Sequence, residues 1–244
     1  MPGPQYYTSP SGTAYNLYVE MSKQPHLLIA GATGSGKSVA ENGLISTLLY
    51  RHPGTGPGRV QLLLIDPKKV ELSRYRRLPH CLGYADRPDQ FPLALQGALD
   101  ITLRRFELMQ RQGVTKYPGG DLWVIIDEFA DLMTTNRRQC APLVQRLAQI
   151  GRAARVHVCI CTQTPIAKIL PTEIRCNFDS RLGLRARSRQ DSRNIIDRTA
   201  PDLSSLPRYG SGYWMTPEGE ELVQVPMVPD HEIRRLVDWW IRQG

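Results

Sequence analysis

A glycine-rich octapeptide is the stretch of this sequence whose residue types and spacing most clearly predict chemistry. Residues 31–38 meet the pattern G-x-x-x-x-G-K-S without a mismatch. Glycines at these spacings let the backbone curl until successive N–H groups point at phosphate oxygens, and the following helix adds its positive dipole. We expect nine residues to hold the phosphates: Gly31, Ala32, Thr33, Gly34, Ser35, Gly36, Lys37, Ser38 and Val39.

Two side chains of the octapeptide have their own expected roles. Lys37 can reach the β- and γ-phosphates of a nucleoside triphosphate, and the Ser38 hydroxyl can ligate Mg²⁺. A chance glycine-rich turn would also match the bare pattern. However, residues 25–30 are typical of a short buried strand and residues 39–50 of an amphipathic helix, which is the setting that the motif requires. The sequence therefore predicts ATP and Mg²⁺ as cofactors.

An acidic pair supplies the second half of this chemistry. Four apolar residues precede Asp127 and Glu128. A parallel strand brings its last residues to the sheet edge where ligands of open α/β folds bind, so Asp127 can hold Mg²⁺ opposite Ser38. Glu128 is then placed to orient and deprotonate the attacking water. The alternative is that Glu128 only caps the helix that follows. With a phosphate loop upstream, we favour catalysis and expect hydrolysis as well as binding.

The elements that must position these residues alternate between strand and helix. The apolar strands are nearly continuous, which indicates a mostly parallel sheet with helices on both faces, followed by a carboxyl-terminal hairpin and helix. The expected strands are 25–30, 59–66, 122–128, 156–162 and 178–184, with a hairpin at 213–216 and 221–225. The expected helices are 39–50, 90–112, 141–154, 188–198 and 230–242, with an irregular passage between 78 and 88.

Length and composition bound the organisation of the chain. With 244 residues, we expect a short lead-in at 1–17 and a single domain at 18–244. The 31 basic against 23 acidic residues give a net charge of +8, which is compatible with a polyanionic partner without proving one. No apolar stretch approaches the length of a membrane span.

The cysteine pattern argues against a metal site or a disulfide framework. None of the five cysteines forms a C-x-x-C pair. Cys159 and Cys161 should face one side of a strand as small core residues. Together with the lack of an amino-terminal leader pattern, reduced thiols predict a cytoplasmic location.

Several strings resemble the motor domain of FtsK/SpoIIIE-type DNA translocases. They lie at residues 25–31, 65–75, 78–80, 127–133, 146–149, 151–154 and 191–197. The likeness extends from about Tyr18 to Trp240. It implies a RecA-like P-loop ATPase that assembles as a homo-oligomeric ring, a hexamer by analogy, with double-stranded DNA in the pore and ATP at subunit boundaries.

The resemblance also assigns roles to particular residues. Arg152 matches an arginine that enters a neighbour's nucleotide site, although Arg155 is a rival and either could simply balance the helix dipole. Gln163 matches a polar sensor, or alternatively satisfies loop backbone. Arg189 and Arg193 match positions that face DNA, unless they form a solvated face with aspartate partners.

One departure from the family pattern bears on DNA contact. Thr164 stands where the family usually carries a pore-facing arginine, and Lys168 could substitute for it. Between residues 175 and 198, seven arginines face three aspartates, the densest basic stretch of the chain. Such a stretch suits contacts to phosphates without reading of bases.

Alternative functions remain open at this stage. A related ATPase could drive conjugative DNA transfer or protein secretion, and a scaffold could bind nucleotide only to assemble. The absence of a membrane-spanning segment leaves room for a separate partner that anchors the motor or recognises DNA. The chain resembles a stand-alone motor, such as those of mobile elements or phages, or alternatively a part of a longer protein.

Overall fold

Almost uninterrupted apolar runs form the central strands of one mixed β-sheet. The computed structural model describes residues 6–8, 14–17, 19–21, 23–51, 59–197 and 201–243. The strands are β1 (Tyr6–Thr8), β2 (Ala14–Asn16), β3 (Leu27–Ala30), β4 (Gln61–Ile65), β5 (Cys81–Ala85), β6 (Leu122–Ile126), β7 (Val156–Thr162), β8 (Ser180–Leu184), β9 (Ser211–Thr216) and β10 (Gly219–Gln224).

The helices alternate with the central strands along the chain. They are α1 (Lys37–Arg51), α2 (Phe91–Gln112), α3 (Phe129–Ile150), α4 (Thr172–Arg175), α5 (Arg189–Ile196) and α6 (Asp230–Gln243), with 3₁₀ turns at Ser73–Tyr75 and Leu203–Ser205. Among the residues that the structure describes, no helix is long and apolar enough to cross a membrane.

The strand order places three functional loops side by side at one edge of the sheet. It is β2-β1-β10-β9-β8-β3-β7-β6-β4-β5. The strands from β8 to β5 are parallel, and β9, β10, β1 and β2 continue the sheet in antiparallel fashion. Since β7 lies between β3 and β6, the loops after these three strands are neighbours at the carboxyl edge. This is the expected mostly parallel α/β fold.

Alternate residues of the central strands face two separate apolar layers. On β3, Leu28 packs into the layer with α2 and α3, while Leu27 and Ile29 face the opposite layer with α1 and α6. Both layers are needed because a parallel sheet cannot leave a face of apolar side chains in water. Cys159 and Cys161 lie in the second layer, as expected from their spacing.

The longest helix corrects one sequence expectation. A short helix after Glu128 and a separate helix at 141–154 were expected, but a single helix, α3, extends from Phe129 to Ile150. The polar run around Asn136 hides the continuity, and Asn136 itself has non-helical backbone angles that kink the helix (φ −130°, ψ 23°). Helix α3 therefore begins at the edge of the sheet, immediately after Glu128.

Two further strand assignments differ from expectation. β5 occupies part of the passage that was expected to be irregular. It lies at the edge of the sheet and is only half-buried, so no apolar run marks it. β1 and β2 lie in the expected lead-in, where β1 pairs with the hairpin strand β10 and β2 pairs with β1. The boundary between lead-in and domain stays a prediction, since residue 18 lies outside the described residues.

Two helix-associated glycines predict opposite responses to the same substitution. A Cβ at Gly151 would lie 2.4 Å from the carbonyl oxygen of Val156, whereas a Cβ at Gly97 would meet nothing within 4 Å. We expect Gly151→Ala to lower the free energy of unfolding by about 1–3 kcal/mol, because backbone cannot move aside easily. Gly97→Ala should raise it by about 0.5–1 kcal/mol. Urea unfolding checks both, and a stabilised Gly151→Ala would contradict the close packing.

Candidate nucleotide site

The phosphate loop is tied to the strands on either side of β3. The Gly31 N–H donates to the carbonyl of Thr162 at 3.3 Å, and the Ala32 N–H donates to the carbonyl of Arg185 at 2.8 Å. These bonds fix the start of the loop between the ends of β7 and β8. Thr33 and Gly34 form the exposed crest of the loop, and Ser35 turns back into the interior.

The glycines at the turn into α1 adopt conformations that other residues avoid. Gly34 and Gly36 have φ values of 74° and 104°. A Cβ at Gly36 would lie 2.8 Å from the backbone of Gly210, so the position has no room for a side chain. α1 then starts at Lys37, and its first N–H groups point out of the helix end toward the loop.

Lys37 joins the phosphate loop to the acidic strand end. Its Nζ donates to a carboxylate oxygen of Asp127 at 2.5 Å and to the Asp127 carbonyl at 2.9 Å. Both side chains are buried. Burial on its own disfavours the charged ammonium, but the acidic groups around it, Asp127 among them, raise the pKa of Lys37 above its ordinary value. Lys37 is therefore cationic at neutral pH.

The Glu128 carboxylate lies at the centre of a hydrogen-bond network. One oxygen accepts from the Thr162 hydroxyl at 2.9 Å, the Gln163 N–H at 3.2 Å and the Ala130 N–H at 3.4 Å. The other oxygen accepts from Lys68 at 3.3 Å. The bond to Ala130 confirms that Glu128 caps α3. The catalytic role of Glu128 stays a prediction. Capping and catalysis are compatible, because the hydrogen bonds that the carboxylate accepts also orient it.

Gln163 connects this network to the phosphate loop. Its side-chain oxygen accepts from the Thr33 hydroxyl at 2.8 Å, while its N–H donates to Glu128. Neighbouring strand ends therefore bring Thr33, Gln163 and Glu128 together, while the sensor role of Gln163 stays a prediction. The alternative, a side chain that only satisfies loop backbone, does not describe the side-chain contact with Thr33.

Two ionisable side chains near the site were not assigned roles from the sequence, the exposed Lys68 and the buried Glu41. Lys68 contacts Glu128 from the loop after β4, where Asp66 accepts from the Leu72 N–H and so shapes the turn. Glu41 is fully buried in α1. Burial raises the pKa of Glu41 well above its usual range. Lys68 could have been found from the sequence, because it lies two residues after Asp66 at the acidic end of a predicted strand. Glu41 could not, because in the sequence it resembles an ordinary residue of a helix surface.

The oxygen donors at the sheet edge suit Mg²⁺. Ser38 is the second residue of α1, and Asp127 directly follows β6 and lies beside Lys37. Mg²⁺ takes few protein ligands and completes its shell with phosphate oxygens and water, so two side chains suffice. The described residues contain no group of three or more His, Cys, Asp or Glu side chains that could hold a metal ion alone.

The structure separates the two candidate trans-acting arginines. Arg155 donates two hydrogen bonds to the Asp121 carboxylate, at 2.8 and 2.7 Å, and has a left-handed backbone (φ 54°). Arg152 is exposed in the turn that follows α3. α3 is about 33 Å long at 1.5 Å per residue, and it carries Arg152 to the sheet edge opposite its own phosphate loop. Of the two, only Arg152 is exposed, and its trans-acting role stays a prediction.

The predicted DNA-contacting residues lie on two different segments. Arg189 and Arg193 are exposed and four residues apart on α5, hence on one face of that helix. Arg189 also pairs with Asp202 at 2.9 Å. Lys168 is exposed in the loop after β7, where its carbonyl accepts from Arg137. The structure does not place Lys168 in contact with the α5 arginines.

The dense basic stretch between residues 175 and 198 is partly structural. Arg175 and Arg181 are largely buried and both pair with Asp197, at 2.7 and 3.3 Å. They also donate to backbone carbonyls at the end of α5. These two arginines hold α5 in place and cannot contact a polyanion. Arg198 lies outside the described residues.

Taken together, the loop after β3, the acidic pair after β6 and the parallel sheet define a P-loop protein of the RecA-like class. A model of the FtsK/SpoIIIE family matches residues 9–121 and 119–167. The chain belongs to the FtsK/SpoIIIE family.

Curated relatives share about a third of their residues with this chain. DNA translocase FtsK of Helicobacter pylori strain J99 is 36% identical over 238 residues, which is 90% of this chain and 27% of that protein. DNA translocase SpoIIIE of Bacillus subtilis strain 168 is 33% identical over 246 residues, which is 92% of this chain and 32% of that protein. The chain thus spans less than a third of the length of these relatives.

Solved structures share the fold at lower identity. The pCW3 conjugation coupling protein TcpA, in monomer form with ATPγS, aligns with a TM-score of 0.78 and 22% identity, covering 98% of this chain and 71% of that one. ATPases 2 and 3 of EssC from Geobacillus thermodenitrificans align with a TM-score of 0.81 and 15% identity, covering 98% and 47%. The fold is therefore shared with a conjugation coupling protein and with ATPases 2 and 3 of EssC.

Substitution of the two arginines should separate their roles in the folded monomer. Arg155→Met removes a paired, half-buried cation and leaves Asp121 short of hydrogen bonds, so we expect the free energy of unfolding to fall by about 1–3 kcal/mol. Arg152→Met should change it by less than about 0.5 kcal/mol. Urea unfolding measures both. Equal losses would mean that Arg152 is also bound within its own chain.

Proposed function

We propose that this domain hydrolyses ATP and uses the free energy to move double-stranded DNA through a ring of identical subunits. The observation that carries the proposal is the meeting of Lys37, Asp127 and Glu128 at one sheet edge, beside the phosphate loop. Curated relatives bear the name DNA translocase. In this proposal, the protein acts in the cytoplasm, where it binds duplex DNA and ATP.

Hydrolysis follows from the positions of the site residues. The backbone of residues 31–39 holds the phosphates, and Lys37 moves from Asp127 to the β- and γ-phosphates. Mg²⁺, held by Ser38 and Asp127, would neutralise charge that develops on the phosphate oxygens. Glu128 accepts the proton of the water whose oxygen attacks the γ-phosphorus, while the bond to the ADP oxygen breaks. Gln163 then senses the γ-phosphate through Thr33.

A neighbouring subunit completes the site. Arg152 lies on the edge of the sheet away from its own phosphate loop, so in a closed ring it can enter the site of the next copy. There its guanidinium would stabilise charge on the γ-phosphate, and such an arginine contributes about 10³ to 10⁵ in rate. The ring is hexameric in this proposal.

In this proposal, exposed basic side chains contact the DNA in the pore. Arg189 and Arg193 share one face of α5, and Lys168 extends from the loop that begins with Gln163. This shared loop would link γ-phosphate sensing to movement of a DNA contact. Contacts to the phosphate backbone suit a motor, since it must release the DNA at every step whatever the sequence.

Duplex-stimulated hydrolysis is the test of this function. The ATPase rate is measured with and without linear duplex DNA, over a range of protein concentrations, because a ring must form before Arg152 meets its partner site. We expect a rate that rises with both. A basal rate that no duplex stimulates at any concentration would contradict a DNA motor. Release of a third strand from a triplex-bearing duplex distinguishes duplex tracking from conjugative single-strand transfer or protein secretion.

Glu128→Gln should separate nucleotide binding from hydrolysis. The amide keeps the shape and can still contact Thr162, but it cannot accept a proton, so we expect turnover to fall by about 10² or more with ATP affinity nearly unchanged. Steady-state ATPase assays and equilibrium binding measure the two effects. Turnover equal to that of the wild type would contradict the catalytic role of Glu128 and favour a scaffold that binds nucleotide only to assemble.

Mixing two inactive variants should test the shared site. Lys37→Ala loses phosphate contact and Arg152→Ala loses the trans-acting cation. In a 1:1 mixture, about one interface in four joins an intact phosphate loop to an intact arginine. We therefore expect the mixture to hydrolyse ATP when neither variant does alone. An inactive mixture that still forms rings would indicate that Arg152 acts elsewhere.

A further inference from the structure

An exposed tyrosine lies directly beside the phosphate loop. Tyr209 immediately precedes Gly210, whose backbone is so close to Gly36 that a Cβ on Gly36 would lie 2.8 Å away. Tyr209 itself is 77% exposed. A side chain so exposed adds little to the core, so packing does not account for an aromatic residue at this position.

The backbone of Tyr209 is held in a conformation that tyrosine disfavours. Its φ is 69°, in the left-handed region. Its carbonyl accepts from the Gln224 side chain at 2.8 Å, and the Gly210 N–H donates to the Ser35 carbonyl at 2.8 Å. The Val225 N–H in turn donates to the Gly210 carbonyl. The segment is thus pinned between the hairpin and the phosphate loop, and strained residues that are pinned in this way cluster at ligand sites.

We propose that Tyr209 stacks on the base of the nucleotide whose phosphates the loop holds, and that the preferred ligand is a purine nucleoside triphosphate. This inference rests on the proposed function, because it needs a nucleotide at residues 31–39. The π-face of an exposed aromatic ring binds any base, and the larger ring system of a purine gains more from stacking than a pyrimidine does. Tyr209 is then a binding residue that sets the base preference, while Gly210 positions the loop.

The test compares ligands that do and do not carry a base. Mg²⁺ complexes of ATP, CTP and inorganic tripolyphosphate are titrated against the wild type, Tyr209→Gly and Tyr209→Phe. Glycine suits the left-handed backbone, so Tyr209→Gly removes the ring without adding strain. Tyr50→Ala is the matched control, since Tyr50 is also exposed but lies in the last turn of α1, far from the phosphate loop.

We expect Tyr209→Gly to bind ATP about tenfold more weakly and to lose the preference for ATP over CTP, while its tripolyphosphate affinity stays within about twofold. Tyr209→Phe and Tyr50→Ala should bind ATP as the wild type does. An unchanged ATP affinity in Tyr209→Gly would overturn the stacking role. Equal losses for ATP and tripolyphosphate would overturn it too, because they would indicate a shifted phosphate loop. Failure of the wild type to bind either ligand would instead reject the proposed function.

Discussion

The contact between Lys37 and Asp127 is the interaction on which the site depends. It joins the start of α1 to the end of β6 across the intervening strand β7, with both charges buried. Each charge is tolerated in the interior because the other is present, and removal of one partner of such a pair typically costs about 3–5 kcal/mol. Asp127 thus holds the lysine where a phosphate can later replace it.

The rest of the site is a consequence of strand order. β7 separates the phosphate loop from the acidic pair, and its last residue, Thr162, contacts both: its carbonyl accepts from Gly31 and its hydroxyl donates to Glu128. The next residue, Gln163, reaches Thr33 on the loop. A change at the γ-phosphate can therefore reach the loop after β7 through two adjacent residues. The opposite edge of the sheet carries Arg152, so the role proposed for this arginine requires a second copy of the chain.

Local signals in the sequence were enough to predict the phosphate loop, the acidic pair and the two-sided sheet, because each depends on residue spacing within one strand-loop-helix unit. The Lys68 contact with Glu128 could not be predicted, since it requires the relative position of β4 and β6. The kink at Asn136 obscured the length of α3. β5 was missed because edge strands need no continuous apolar run. The number of arginines between residues 175 and 198 was also a poor guide to contact with DNA phosphates. Arg175 and Arg181 stabilise the fold instead, and only their pairing with Asp197 in the structure shows this.

The most direct measurement is a structure of the protein with Mg²⁺ and a non-hydrolysable ATP analogue. We predict that Lys37 Nζ leaves the Asp127 carboxylate, now 2.5 Å away, and contacts the β- and γ-phosphate oxygens, while Asp127 faces the metal. A nucleotide bound elsewhere, with the lysine still paired to Asp127, would contradict the account.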